Sequence, residues 1–379
     1  MACAALSQGV RQLIKHVLVT NDFPPKVGGI QSYLFEIYSR LDPESYLVAT
    51  TVHEDAAAFD RKFPGEVIRL KHRLLPVAGT RSDLLAVVSA FQADLVVYDP
   101  IWPIGALGAR LGPPYGLIAH GAEVVLPAKL PGVAGSMRRS LSGARGVIAA
   151  GSYPMQAVRS LVPTVPTFEV APGADLSRFV PTQSVEERDA IRKRFMGDSR
   201  LPMILFVSRL VPRKGADRVI EAARLLDQPV EVHIVGSGRD RARLERLAKR
   251  RGVNTIFHGA LPDGDLEQVY RAADVFCFPA RSRWLGLEQE GFGIVLVEAQ
   301  ASGARVVCTR TGGMADAVVG TSPVVLDEGS AAAVAGGISF QLKADPKLPA
   351  GERHLIIEKF DYGRLSLQYG EAILKLAKQ

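Results

Sequence analysis

"VTNDFPPKVGGIQSYLFEIY", Val19 to Tyr38, reads as the end of a strand, a loop punctuated by Pro and Gly, and an amphipathic helix that opens at two adjacent glycines, Gly28 and Gly29. The rest of the chain repeats that order. Short Val, Ile and Leu runs, "HVLVT" (16–20), "DLVVYD" (94–99), "YGLIAH" (115–120), "GVIAAG" (146–151), "MILFVSR" (203–209), "VEVHIVG" (230–236), "NTIFHG" (254–259), "ADVFCFP" (273–279) and "ARVVCT" (304–309), alternate with amphipathic segments. Continuous apolar strands between helices indicate parallel sheets covered on both faces. A chain of 379 residues is long for one core. The fold expected is therefore α/β, doubly wound, in two domains.

The stretch "VPTVPTFEVAPGADLSRFVPTQSVEER" (162–188) carries prolines that interrupt helical or strand patterns, and the second half is expected to restart with a strand beyond it. This places a hinge near Pro172 and Gly173. The tail "GRLSLQYGEAILKLAKQ" (363–379) has helical spacing and no strand partner, so pattern leaves its docking site open.

Composition narrows the class. Apolar residues at 47% and charged residues at 22% fit a soluble globular protein, and no apolar run is long enough to span a bilayer. The N-terminal "MACAALSQGVRQLIK" lacks a positive charge ahead of its short, interrupted apolar stretch, so a cytoplasmic location is expected. Cys3, Cys277 and Cys308 are scattered, which gives neither a disulfide framework nor a zinc site. The formal charge of +7 suits an anionic ligand, an anionic lipid or nucleic acid. Aromatic and basic residues do not interleave and no DNA-binding motif is present, so no nucleic-acid partner is expected.

In open parallel sheets, ligands lie beyond the carboxyl ends of the strands. Five stretches qualify: "PPKVGGIQS", "HGAE" (120–123), "SRLVPRKG" (208–215), "VGSGRD" (235–240) and "EGFGIVLVEA" (290–299). Glycines ahead of a helix let backbone amides approach an anion, so Gly28, Gly29 and Ile30 can hold phosphate or form a turn without a ligand. Arg209 and Lys214, five residues apart, can grip phosphate or decorate a solvated turn. Glu290 and Glu298 stand eight residues apart around a helix expected to open near Ile294. They can flank a pyrophosphate, one on sugar hydroxyls and one on a ribose, or be ordinary loop and helix charges. His120 ends a strand on the crevice side. His16, His53, His72, His233, His258 and His354 have less support, although His258 also ends a strand. No HExxH motif or His/Cys cluster points to a metal, and "DGD" (263–265) reads as a helix cap.

Taken in order, "NDFPPKVGGIQSYL", "HGAE", "SRLVPRKG", "VGSG" and "EQEGFGIVLVEAQASG" resemble the retaining glycosyltransferases of the GT-B fold, family 4 type, and the resemblance spans nearly the whole chain. Within that family, "VTNDFPPKVGGIQSYL" and "SRLVPRKG" are most similar to PimB-type mannosyltransferases, which add mannose from GDP-mannose to phosphatidylinositol mannoside.

The resemblance implies an acceptor domain at 1–170, a donor domain at 171–359 and a helix at 360–379 crossing back to the first. It implies catalytic roles for His120, Glu290, Arg209 and Lys214, with Glu290 on donor-sugar hydroxyls, Arg209 and Lys214 on the diphosphate, and His120 beside the transferred sugar. Donor binding falls to Gly28, Gly29, Arg209, Lys214, Gly236, Phe292, Gly293, Ile294 and Val295, with Glu298 on the ribose. The implied chemistry needs no cofactor, no metal and no protein nucleophile, because fixed cations and helix N-termini stabilise the departing diphosphate.

Two features depart from the family pattern: Ala122 stands where a second histidine is usual, and "EVVLPAKLPG" differs on the acceptor side. The loop "ARSRWLGLEQ" around Trp284 also has its own composition. A glycolipid or another hydroxyl compound is the implied acceptor. "RLKHRLLP" (69–76) and "GSMRRSLSGAR" (135–145) mix cations with apolar residues, which suits either peripheral contact with an anionic membrane on its inner face or solvated surfaces. Transfer from a UDP- or ADP-sugar, a nucleotide-sugar epimerase and a non-enzymatic nucleotide-sugar binding module are the competing functions. A dehydrogenase is weaker, since "VGSGRD" lacks the third glycine of the dinucleotide fingerprint.

Overall fold

The computed structural model describes residues 13–71, 73–130, 132–197, 199–284, 289–344 and 351–378. Cys3, His72 and residues 285–288 of the Trp284 loop lie outside them. The first sheet has seven strands, β1 His16–Thr20, β2 Tyr46–Thr51, β3 Glu66–Leu70, β4 Leu95–Asp99, β5 Tyr115–Ala119, β6 Gly146–Ala149 and β7 Thr167–Glu169, in the order β3-β2-β1-β4-β5-β6-β7. The second has six, β8 Met203–Val207, β9 Glu231–Val235, β10 Thr255–Gly259, β11 Val275–Phe278, β12 Arg305–Thr309 and β13 Val324–Leu326, in the order β10-β9-β8-β11-β12-β13. Every paired neighbour is parallel. The two-sheet, doubly wound architecture is as the apolar runs require.

Strand order reverses direction between β1 and β4 in the first sheet and between β8 and β11 in the second, and crevices open at such points. The central strands are buried on both faces. Val17, Val19, Val96 and Tyr98 enter one core while Leu18, Leu95 and Val97 enter the other, the period of two that a pleated strand imposes.

Four strands escape the apolar-run reading. β2 is interrupted by threonines, β3 "EVIRL" is only half-buried, and β7 and β13 have three residues each. β7 and the start of the helix Val185–Met196 both lie inside the proline-rich stretch 162–188, so that stretch is not free of regular structure. The chain enters the second half with that helix rather than with a strand. It packs on the helix Asp263–Ala272, where Asp265 pairs with Arg194 at 2.6 Å and Asp263 with Arg178 at 3.3 Å. The carboxylates of "DGD" therefore sit in the first turn, where the helix dipole favours them, and Pro262 occupies the cap without a side-chain bond.

The chain crosses between the halves twice, and the crossings touch. The Ala174 amide donates to the Phe360 carbonyl at 3.1 Å, and a Cβ on Gly173 would stand 2.2 Å from that same oxygen, so only glycine fits. The final helix, Tyr362–Lys378, then lays Leu365, Tyr369, Ile373 and Leu376 on the first sheet, with the Tyr369 hydroxyl 2.8 Å from that of Tyr38.

Candidate functional site

β1 and β4 end side by side, with Thr20 in register with Asp99. The Thr20 hydroxyl donates to Asp99 Oδ2 at 2.6 Å, and His120, just beyond β5, places Nε2 2.6 Å from Asp99 Oδ1. Tyr33 sets its ring edge-on against the imidazole at 5.8 Å. Glu123 accepts from the backbone amides of His120 and Gly121, tying down the turn. Burial works against a charged imidazole, but the charge and hydrogen bond of Asp99, with Glu123 and Asp22 behind it, raise the His120 pKa above its usual 6.5. Nδ1 has no partner among the described residues.

The second half supplies charge. The Lys214 ammonium lies 2.5 Å from Glu290 Oε2 and 5.3 Å from the centre of the Phe278 ring, and Arg213 Nη1 reaches the same Glu290 oxygen at 2.6 Å. Glu290 is buried, which alone would raise its pKa; Lys214 and then Arg213 outweigh that and hold the carboxyl below the usual range. Oε1 accepts no hydrogen bond among the described residues. Arg209, at the end of β8, is exposed and makes no side-chain hydrogen bond or salt bridge among them.

Gly293 caps the helix Ile294–Ala301 with φ +88. Its first amides have no intrahelical partner and open toward the crevice, as do those of the helix Gly29–Tyr38. Glu298, one turn in, accepts from the Tyr270 hydroxyl at 2.8 Å, and burial pushes its pKa up to about 7 against the opposing effects of that bond and of Arg178.

The two sets meet. Gly29 and Ile294, each the first residue of its helix, face one another, a Cβ on Gly29 falling 3.7 Å from Ile294 Cδ1. A Cβ on Gly291 would lie 3.1 Å from the His120 carbonyl, and the Phe292 ring packs beside Gly151. Asp316 of the second half accepts from the Ser152 amide at 3.1 Å, at the start of the first-half helix Ser152–Leu161. His120, Glu290, Lys214, Gly28, Gly29 and Phe292 to Val295 thus border one cleft.

Gly236 contributes differently. Its φ of +125 and a Cβ position 2.0 Å from the Ser208 carbonyl seat the loop after β9 against "SRLVPRKG", and its amide is committed to the Gly259 carbonyl at 2.6 Å. It shapes the loop that carries Arg209 rather than offering its amide to an anion. His258 ends a strand, but its Nε2 lies 2.8 Å from Nδ1 of buried His233, which in turn reaches Glu231, a packed chain with no role in the cleft.

Asp99, Thr20, Arg213 and the pair Gly312 and Gly313 were not singled out from the sequence. Gly313 donates to the Glu290 carbonyl at 3.3 Å and supports the loop from behind. Each lies at or just beyond a strand end or within "SRLVPRKG", positions that the strand-end rule marks only as a class. Among the described residues no group of His, Cys, Asp and Glu is arranged to hold a metal ion.

The basic stretches also resolve. Arg69 is bound to Asp60 at 2.8 Å and to the Thr51 and Pro24 carbonyls, so it is not a surface cation. In the helix Val133–Gly143, Met137 and Leu141 point into the core while Arg138, Arg139, Ser142 and Gly143 are exposed, with Arg145 exposed just beyond, so that helix lacks an outward apolar face. No helix among the described residues is long and apolar enough to cross a membrane.

Residues 187–353 match the family model for glycosyl transferases group 1. The chain is 36% identical over 343 residues to the GDP-mannose-dependent monoacylated alpha-(1-6)-phosphatidylinositol monomannoside mannosyltransferase of Corynebacterium glutamicum, covering 88% of this chain and 89% of that one. It is 33% identical, over 88% of this chain and 90% of the other, to the GDP-mannose-dependent alpha-(1-6)-phosphatidylinositol monomannoside mannosyltransferase of Mycolicibacterium smegmatis. Among solved structures, Anabaena HepE in complex with UDP superposes with a TM-score of 0.81 at 18% identity over 95% of this chain and 99% of that one. This chain belongs to the group 1 glycosyltransferase family and carries its GT-B fold.

Proposed function

We propose that this enzyme transfers mannose from GDP-mannose, with retention of configuration, to a lipid-linked inositol mannoside. The observation that carries the reading is the approach of Gly291 to the His120 carbonyl, which sets the His120–Asp99 pair beside the Glu290 loop. A sugar whose hydroxyls donate to Glu290 Oε1 lies next to His120, while Lys214 and Arg213 hold Oε2. The mannosyltransferase relatives favour guanine and mannose.

In this reading, cleavage of the C–O bond leaves negative charge on the diphosphate. Lys214 and the helix starts at Gly29 and Ile294 are fixed in advance to receive it, with the exposed Arg209 beside them. His120, whose cationic form Asp99 favours, positions a sugar hydroxyl and offsets the negative charge on the departing phosphate. The acceptor hydroxyl attacks from the face the leaving group vacates and passes its proton to a phosphate oxygen. Glu298 binds the ribose, and no step draws on a metal. Arg138, Arg139 and Arg145 supply the positive surface for an anionic membrane that holds the acceptor.

Thermal shift with GDP, UDP, ADP and their sugar conjugates is the test, since a ligand at 100 times its Kd stabilises by about 2.7 kcal/mol. Selective stabilisation by GDP and GDP-mannose, followed by mannosylation of a phosphatidylinositol mannoside, is the expected result. Selectivity for UDP or ADP overturns the mannose donor, and an isomerised free sugar formed without acceptor makes the enzyme an epimerase.

A further inference from the structure

Gln300 lies on the helix Ile294–Ala301, which opens at the cleft, and is only 4% exposed. Its Nε2 donates to the Leu296 carbonyl at 2.9 Å, within the helix, and to the Ala317 carbonyl at 2.8 Å. Its Oε1 accepts from the Val319 amide at 3.0 Å. Both amide hydrogens are thus used, and the side chain ties the helix to the segment after β12 on either side of Val318. A methionine of similar volume would fill the same space, so packing alone does not call for an amide here.

The tied segment, with the 3-10 turn Met314–Ala317 at its centre, faces two ways. Toward the donor loop, a Cβ on Gly312 would fall 1.9 Å from the Glu290 carbonyl and one on Gly313 2.1 Å from the Gly291 carbonyl, so the two backbones lie flush. The Gly313 amide donates to the Glu290 carbonyl at 3.3 Å. Toward the first half, Asp316 accepts from the Ser152 amide at 3.1 Å and from the Ser152 hydroxyl. The neighbouring Tyr153 ring stands 3.0 Å from where a Cβ on Gly121 would be, and Gly121 follows His120. One short segment therefore touches the loop of Glu290 and the helix beside His120. Lys359 also holds it, donating to the Asp316 carbonyl at 2.8 Å, but from the exposed surface; the buried anchor is Gln300.

We infer that Gln300 is a positioning residue for the transfer, holding the Glu290 loop in register with the first half through the segment from Gly312 to Val319. The inference rests on the reading of Glu290 and His120 as the groups that flank the transferred sugar. Such groups work only when supporting hydrogen bonds keep them within about 0.5 Å of the productive geometry.

The test compares the full chain with Gln300→Met, which keeps the volume and removes all three hydrogen bonds. Amide hydrogen exchange is read by NMR. The Ser152 and Gly313 amides are expected to exchange about tenfold faster, the effect of losing one net hydrogen bond, while amides in β8 and β11 keep their rates. In steady-state assays with GDP-mannose, kcat should fall about tenfold, with GDP affinity within about twofold of the unaltered chain, because Lys214 and the start of the helix are untouched. Should Gln300→Met fail to fold, Gln300→Glu, which keeps the acceptor for the Val319 amide, carries the same comparison. Unchanged exchange at Ser152 and Gly313, or equal acceleration throughout the chain, overturns the inference, as does faster exchange with normal kcat. An unaltered chain that does not turn over GDP-mannose tells against the proposed donor, and the exchange rates, which need no substrate, then decide the role of Gln300 alone.

Discussion

Glu290 and Glu298 come from one run of ten residues and end in opposite surroundings. Glu290 sits in a loop between two cations brought from beyond β8 and stays ionised. Glu298 sits one helical turn on, beneath the Tyr270 hydroxyl, and burial draws its pKa up to about 7. The same side chain thus serves as a fixed charge in one place and as a titrating group in the other. What differs is what each one meets, the turn after β8 for Glu290 and the helix Asp263–Ala272 for Glu298.

The sharpest way to break that contrast is Glu290→Gln. The amide keeps the shape but removes the charge that Glu290 sets against Lys214 and Arg213. Turnover is expected to fall about 10²–10³-fold, as for loss of one preorganised contact in a site of this kind. Stability should drop by about 3–5 kcal/mol, the usual consequence of removing one partner from a buried ion pair. Steady-state kinetics with urea unfolding measures both, and near-normal turnover would remove Glu290 from the site.

Glu298 has the opposite sign of pH dependence. Its folded pKa, about 7, lies above the ordinary 4.5, so the folded protein binds the extra proton between those values. Its contribution to stability is complete below pH 4.5 and is lost as pH rises through 7, about 3 kcal/mol in all. Glu298→Gln should flatten the stability profile across that window in chemical denaturation. An unchanged slope would mean that another group titrates there.

How much of this was legible in advance follows from the same contrast. Continuous apolar runs announce doubly buried strands, and glycines after them announce helix starts, so the two sheets and the residues from Gly28 to Glu298 could be named in order. Asp99 could not, because the last residue of "DLVVYD" looks like any strand-ending turn former until β1 and β4 are known to be neighbours. Arg213 sits beside Lys214 in the quoted stretch, yet nothing local says that both turn toward one carboxylate. Gly312 and Gly313 repeat the Gly28–Gly29 signal but act from behind, on the Glu290 and Gly291 carbonyls.

Asp99 and His120 extend the comparison to the first half. Here a carboxylate tunes a partner instead of being tuned. Asp99→Asn keeps the shape while removing the charge that raises His120, and burial then weighs more, so the imidazole pKa should fall. In the native protein this pair adds stability that is fully present below pH 6.5 and is lost as pH rises through the folded value. Imidazole signals followed by NMR against pH measure the shift. A His120 pKa unaltered in Asp99→Asn would assign its elevation to Glu123 and Asp22 instead.

Asp316 is the carboxylate whose partner is not a cation but a helix start from the other half. It accepts from both the amide and the hydroxyl of Ser152, so its energy is that of a cap, about 1 kcal/mol, and it exists only while the halves are in contact. Asp316→Ala should therefore raise the donor KM about fivefold with kcat nearly unchanged, because a cap of that size shifts the contact equilibrium and touches no reacting atom. Asp316→Asn keeps an acceptor oxygen and loses only the charge, so its effect should be smaller. If the two variants behave alike, the charge is irrelevant at this position. If kcat falls instead of KM rising, contact between the halves is required during the chemical step itself, and Asp316 belongs with Glu290 rather than with the caps.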